Sequence, residues 1–444
     1  MAKRSPDKLL TFLPAVTAAR LKSGWVEQGN PCIDAMTSHS PSVSTAAARA
    51  ELARIQHWWL TKSIDPRGGF MGEIDHQGRA VPGANKGVVL HCRILWFFSA
   101  HAHHSDDRES LQAAQQAYDY LLEHFDDPLE GGVFWELSAN GQALNIRKQT
   151  YATCYAIYAL AAYHRASGNA AALTKALAYF QVLERNARNH CCGGYFEAFS
   201  RDWTPLQDTR LGTGDHNFPI KMNTHLHAVE AFSALYREAG DPLVRQRLLE
   251  LLELFDTYFI DEASGHLRQC FELHWVDKSP IRSYGHDLEA GWMLYRAAQR
   301  VEDTEMTTRF RRHLLHIADT CLDEGFGDRG QLCSKLDLNS GKRDDTSVWW
   351  VQAEALIGFA TAYRVSGETR YLAACERIWQ ALESHRDEKH GEWHAETIRG
   401  TPCLTPGLYK AGTWKGPYHN GRAMLRLIDL LADAGTEVDY VRAS

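Results

Sequence analysis

Ala161-Ala162-Tyr163-His164-Arg165-Ala166-Ser167-Gly168, Ala234-Leu235-Tyr236-Arg237-Glu238-Ala239-Gly240, Met293-Leu294-Tyr295-Arg296-Ala297-Ala298 and Ala360-Thr361-Ala362-Tyr363-Arg364-Val365-Ser366-Gly367 are versions of one ending. Their tyrosines recur at intervals of roughly 60–70 residues, too long for a single helix pair of the usual solenoids and right for two long helices plus a substantial loop. A second series keeps step with the first: Gly68-Gly69-Phe70, Gly131-Gly132-Val133, Gly193-Gly194-Tyr195, Gly265-His266-Leu267 and Gly391-Glu392-Trp393. Each follows a helical stretch and opens a polar, turn-rich connection.

Between these marks the apolar residues fall at helical spacing, as in Tyr151, Cys154, Tyr155, Tyr158 and Ala162, or Trp350, Ala353, Leu356, Ile357 and Ala360. The pattern predicts helices over 45–62, 86–104, 108–125, 149–167, 170–187, 221–240, 243–257, 284–301, 304–322, 346–366, 368–385 and 417–434. Taken in pairs they make hairpins, and closing the hairpins into an inner ring inside an outer ring removes the exposed ends that a solenoid must cap. No strongly polar capping repeat is visible. The expected fold is all-α, a closed α/α barrel of six hairpins, with the glycine-containing loops and short strands gathered at one mouth. Residues 1–44 read as an N-terminal extension, 45–436 as a single barrel domain and 437–444 as a tail.

With 444 residues, 44% of them apolar and 23% charged, the chain has an ordinary globular composition, which excludes disordered, collagen-like and fibrous classes. A net charge of −7 leaves no basic footprint for nucleic acid or an anionic membrane surface. No apolar run approaches a membrane span. Ten cysteines lack zinc-type spacing, and the adjacent Cys191 and Cys192 suit buried thiols better than two ordinary disulfides. Near the start, Leu9-Leu10-Thr11-Phe12-Leu13 imitates a signal peptide only faintly, being short and flanked by Asp7 and Pro14, so a cytoplasmic location is expected.

Polar groups concentrate on alternate helices, those of the inner ring. Asn223 and His227 are four apart and share a helix face, while His225 points elsewhere. His286 and Glu289 are three apart, close to a helix start. Pro417 sets the start of the last helix, and His419 lies in its first turn. Arg93 sits in an otherwise apolar helix and needs a buried acidic or oxygen-rich partner. Each has an ordinary explanation: core histidines, a structural Arg93–Glu289 ion pair, packing tryptophans at 349, 350, 393 and 414. Their conjunction at corresponding depths points to one cavity. Neither a His-Glu-x-x-His nor a paired Cys-x-x-Cys set is present, which argues against a metal centre, and no phosphate-cradling glycine loop argues for a nucleotide cofactor. Acid–base chemistry remains.

The segments Ile64 to Phe70, Lys86 to Trp96, Met222 to His227, Tyr284 to Glu289, Trp349 to Ala355 and Trp414 to Asn420 together resemble the N-acylglucosamine 2-epimerase superfamily, most closely its cellobiose 2-epimerase branch, with mannose 2-epimerase beside it. The likeness runs from about residue 50 to about residue 430 in the family's order. It implies an (α/α)6 barrel and an isomerase that inverts C2 of a small carbohydrate without cofactor or metal, as a monomer or homodimer. By the same resemblance, His286 and His419 would be the paired acid–base catalysts, with Glu289 pairing with one of them. Arg93, Asn223 and His227 would hold sugar oxygens, and Trp350, Trp393 and Trp414 would line the site. One departure stands out. Disaccharide-type members carry a second tryptophan after the Glu-Trp pair, whereas here Glu392-Trp393 is followed by His394-Ala395.

The implied reaction makes demands that these residues meet. Removing the C2 proton of an opened aldose builds negative charge on O1, so a base is needed on one face and an acid on the other. Histidine serves both roles near neutrality, with a nearby Glu289 favouring the imidazolium. Arg93 would stabilise the oxyanion, worth about 3 kcal/mol for a well-placed donor. Rival readings are a mannose-type aldose–ketose isomerase of the same superfamily, an α/α-barrel glycoside hydrolase, which needs two carboxylates astride a glycosidic bond, and a helical-repeat scaffold with no catalytic constellation.

Overall fold

The computed structural model describes residues 42–405 and 407–432; the extension expected before residue 42 and the tail expected at 437–444 lie outside them. The helical periodicity becomes twelve α-helices: α1 (Thr45–Lys62), α2 (Val88–Ser105), α3 (Arg108–Tyr120), α4 (Thr150–Ser167), α5 (Ala170–Asn186), α6 (Met222–Ala239), α7 (Pro242–Leu254), α8 (Tyr284–Arg300), α9 (Thr304–Glu324), α10 (Trp349–Ser366), α11 (Thr369–Ala381) and α12 (Tyr418–Leu430). Helices α2, α4 and α10 are buried around nearly their whole circumference, whereas α3, α9 and α11 bury one stripe. That difference sorts them into an inner and an outer layer. The even-numbered helices pack in the cycle α2, α4, α6, α8, α10, α12 and back to α2, and α1 closes the outer layer against α12. This is the expected (α/α)6 barrel.

The expected helix starts at 86, 149, 221 and 346 come slightly early, because the residues just before the inner helices pair as strands. Lys86–Gly87 pairs with Glu136–Leu137, Lys148–Gln149 with Ala198–Phe199, Ile220–Lys221 with Cys270–Glu272, and Ser347–Val348 with Glu396–Ile398. The first helical N–H then continues the ladder: Val88 donates to the carbonyl of Trp135, Thr150 to Glu197, Met222 to Gln269 and Trp349 to Ala395. At the other ends, α3 and α7 stop at 120 and 254 and widen into a π-type turn.

The two ends of the barrel differ in how their helices begin. Five of the six outer helices start with side-chain caps, at Ser44, Asp107, Asn169, Asp241 and Asp303, and α11 starts without one. Inner helices start without one. Their positive dipole ends converge, unneutralised by side-chain caps, on the mouth that carries the strands and glycine loops. At Gly194 (φ 75°) an added Cβ would lie 2.4 Å from His225 Nε2, so the loop approaches α6 closely enough to exclude any side chain. At the opposite mouth the repeated endings read in the sequence become left-handed C-caps at Gly168, Gly240 and Gly367.

All nine described cysteines are free; six are buried, while Cys191 is exposed and Cys192 and Cys403 are half-buried. No described helix is long and apolar enough to cross a membrane.

Candidate active site

Every inner helix contributes a polar or aromatic side chain from its first two turns at the strand-bearing mouth. Arg93 comes from α2, Tyr151 and Tyr155 from α4, Asn223 and His227 from α6, His286 and Glu289 from α8, Trp350 and Glu354 from α10, and Tyr418, His419 and Arg422 from α12. The shared depth noticed in the sequence is therefore a shared site.

The two histidines singled out by the sequence both pack against one indole. The Trp350 ring centroid lies 4.7 Å from that of His286 and 5.7 Å from that of His419. Gly285 makes this possible, since a Cβ there would fall 2.8 Å from the Trp350 ring. His286 Nδ1 is buried with no hydrogen-bond partner among the described residues. Burial and the neighbouring His227 push the His286 imidazole down to about 4. His419 Nδ1 lies 2.6 Å from Glu354 Oε1, which assigns the proton to Nδ1 and leaves Nε2 as acceptor. Burial, Arg93 and Arg422 hold this imidazole well below its ordinary value. Neither histidine is held as an imidazolium, contrary to the expectation that Glu289 would favour one: burial and His227 act on His286, and burial with two guanidiniums acts on His419.

Glu289 itself is placed differently from its expected pairing. Although three residues from His286 on the same helix, it accepts from Arg422 Nη2 at 2.5 Å. The carboxylate partner of a histidine is Glu354, which the sequence reading left without a role. Arg422, likewise missed, donates to Glu354 at 2.7 Å and also bonds Glu230, so one guanidinium from α12 ties together carboxylates of α6, α8 and α10. Glu289, Glu354 and His419 bring ligand-type atoms within 4.8 Å of one another, with the Arg422 guanidinium supplying the positive charge among them. Two carboxylates shared by one arginine do not flank a glycosidic bond, which removes the hydrolase reading.

Burial, with Glu354 beside it, pushes Glu289 up to about 7 against the pull of Arg422. A carboxyl whose folded value exceeds its ordinary 4.5 favours the fold when protonated, and that contribution is lost as pH rises through about 7. Urea unfolding should accordingly show the wild type losing stability relative to Glu289→Gln between about pH 5 and 8. A difference constant across that window would mean that Glu289 is ionised throughout.

Arg93 is 3% exposed and finds the oxygen-rich surroundings it needs without Glu289. Its guanidinium donates to the Trp414 carbonyl at 2.5 Å, to Tyr155 Oη at 2.9 Å and to Tyr151 Oη at 3.3 Å. Unionised partners leave its charge uncompensated at the mouth. His227 Nδ1 meets Glu230 at 3.0 Å, and its Nε2 lies 3.2 Å from Tyr155 Oη. Asn223 Oδ1, one turn earlier, is buried with no partner among the described residues. His225 turns away as expected, bonding the Lys221 carbonyl and accepting from the Tyr195 N–H.

Trp414 is 37% exposed and faces Trp135 at 6.0 Å and Tyr151 at 6.2 Å. Trp393, expected to line the site, does not: it is wholly buried and donates through Nε1 to Glu51 at 2.5 Å. Glu392 explains why. Its carboxylate gathers Lys415, Asn420 and the Trp59 N–H, clamping this loop to the start of α12 and to α1 and leaving Trp393 in the core.

Fold and mouth together define an (α/α)6-barrel enzyme equipped for proton transfer. The chain belongs to the N-acylglucosamine 2-epimerase family, whose model matches residues 68–419. It is 36% identical to a cellobiose 2-epimerase of Bacteroides fragilis over 377 residues, covering 84% of this chain and 96% of that protein. A cellobiose 2-epimerase of Ruminococcus albus is 35% identical over 84% of this chain and 94% of its own length. The solved structure of cellobiose 2-epimerase from Bacillus thermoamylovorans superposes with a TM-score of 0.82 at 33% identity, covering 87% of this chain and 98% of that one. The chain is accordingly an epimerase.

Proposed function

We propose that the protein is a carbohydrate 2-epimerase of the cellobiose 2-epimerase type, interconverting gluco and manno configurations at C2 of a reducing-end sugar in the cytoplasm. The observation that carries this is the pair of imidazoles that both pack against Trp350 in a chain of this family. After ring opening, one histidine takes the C2 proton and the other returns a proton to the opposite face of the planar cis-enediolate, which turns about C2–C3 between them. The pair must therefore share one proton. Glu289 and Glu354 beside His419 are its store, and His286, whose Nδ1 has no partner among the described residues, supplies the free base. In the reverse direction the roles exchange. Arg93 and the uncapped inner-helix N-termini stabilise the developing charge on O1, while Asn223 and His227 hold hydroxyls.

With Trp393 in the core, the exposed Trp414 and its neighbour Trp135 form the aromatic platform left for a second sugar ring. A panel of cellobiose, lactose, mannobiose, mannose and glucose, with products resolved, tests the reading. Epimerised disaccharides are expected, and Trp135→Ala should raise KM for cellobiose about tenfold while leaving mannose kinetics within about twofold. Turnover of mannose and glucose alone would make the protein a mannose 2-epimerase. A ketose product would make it an isomerase of the aldose–ketose kind, and an inert panel would refute the proposal.

A further inference from the structure

We infer that Cys191, Cys192 and His274 form a binding site for a thiolate-seeking divalent cation, with zinc the expected occupant. The two sulfurs and a ring nitrogen of His274 lie within 4.8 Å of one another, and Cys192 Sγ is 3.4 Å from His274 Nδ1. Zinc–sulfur and zinc–nitrogen bonds of about 2.3 and about 2.0 Å at a tetrahedral angle put sulfur and nitrogen about 3.5 Å apart, so this pair already stands at the separation that a shared ion imposes. The remaining gaps close by side-chain rotation, because Cys191 and His274 are exposed and Cys192 is half-buried. On binding, each thiol gives its proton to solvent and its sulfur bonds to zinc, His274 donates a nitrogen lone pair, and a water fills the fourth position. The third ligand comes from 82 residues along the chain, which is why no zinc-type spacing shows in the sequence.

The local turn does not ask for these residues. Asn189 Oδ1 accepts from the N–H groups of Cys191 and Cys192, closing a tight turn ahead of Gly193. Asp127 does the same for Leu129 and Glu130, and Asp387 for Lys389 and His390, in the corresponding glycine turns. The turn therefore forms with Leu-Glu or Lys-His where this one carries Cys-Cys, and packing does not explain the pair either, since six of the other described cysteines are buried. The facing segment is held at a backbone cost: His274 (φ 61°) and Trp275 (φ 62°) are consecutive non-glycine residues in the left-handed region. Trp275 accounts for its own conformation, being buried against Tyr258 at 4.6 Å and Phe259 at 5.3 Å and donating through Nε1 to the Cys192 carbonyl at 2.9 Å. His274 stays exposed, and what its conformation does is lay the imidazole on Cys192. The ion would staple the loop after α5 to this segment. Glu197 in that loop accepts from the Thr224 hydroxyl and the Tyr151 N–H, so the staple bears on the wall of the catalytic mouth.

Titrating the full-length protein with Co2+, its thiols kept reduced by a phosphine, tests this. The expected result is one Co2+ bound per chain with the strong ultraviolet absorption of thiolate-to-cobalt charge transfer, displaced by an equimolar amount of Zn2+. Cys191→Ser/Cys192→Ser should abolish that absorption. His274→Asn, which keeps a residue that tolerates the left-handed backbone, should weaken binding at least tenfold. Zinc should raise the Tm of the wild type by a few degrees and leave that of the double cysteine variant unmoved. Circular dichroism checks that the variants fold, and His274→Asn decides the matter if the cysteine variant does not. No saturable binding at micromolar Co2+, binding without charge-transfer absorption, or binding indifferent to these changes would overturn the proposal. None of these readouts depends on which sugar the enzyme epimerises.

Discussion

Replacing His419 by asparagine should lower kcat by about three orders of magnitude while moving KM by less than about threefold, because a positioned acid–base group contributes roughly that much to a proton transfer. His419 is held for this by Glu354 on Nδ1, which fixes the tautomer and ring plane and directs Nε2 at the site. Asparagine keeps a polar group of similar reach and loses the titrating nitrogen. His286→Asn should behave alike, and combining the two should cost little more than either alone, since removal and return of the proton are two halves of one sequence. Steady-state kinetics on the best substrate of the panel decide the matter. A rise in KM with kcat intact would reassign the histidine to binding.

Arg422→Met should destabilise the fold by about 3–5 kcal/mol, measured by urea unfolding at neutral pH. Arg422 is 2% exposed and holds Glu230, Glu289 and Glu354 from three different helices. Methionine fills much of the volume but strands those carboxylates in the barrel lumen. They must then stay desolvated without a counter-charge or take up protons. The deficit should shrink as the pH falls and the stranded groups are protonated, because the variant's folded state then binds more protons than its unfolded state. A loss below about 1 kcal/mol, independent of pH, would show that the network is not what ties the inner helices together. Activity should fall with stability, since Glu354 would then be held against His419 only by the Trp292 N–H.

What the sequence reveals and what it hides divide along a physical line. Helix positions were readable because burial imposes a 3.6-residue period on each segment separately, and the closed ring followed from the repeated endings at Tyr163, Tyr236, Tyr295 and Tyr363. Corresponding depth on alternate helices was enough to gather Arg93, Asn223, His227, His286 and His419 at one mouth. Pairings across the lumen were not readable. Glu289 has the right spacing for His286, but Arg422 arrives from a helix more than a hundred residues away and captures it. Glu354 and Arg422 lie inside apolar helices and gain meaning only once α10 and α12 face each other. Trp393 misled because burial and site lining demand the same residue type; only the Glu392 clamp shows which applies. The sixth glycine turn, Gly330-Gln331-Leu332 (φ 80° at Gly330), has the same glycine-x-apolar spacing as the rest of the series and was legible by the same rule.

The most direct test of proton transfer between two imidazoles is epimerisation in heavy water, with product and residual substrate separated early and read by mass spectrometry and proton NMR at C2. The account requires one deuterium at C2 of every product molecule and none in the unreacted sugar, because the departing proton and its replacement occupy opposite faces. Product carrying the original hydrogen at C2 would contradict it.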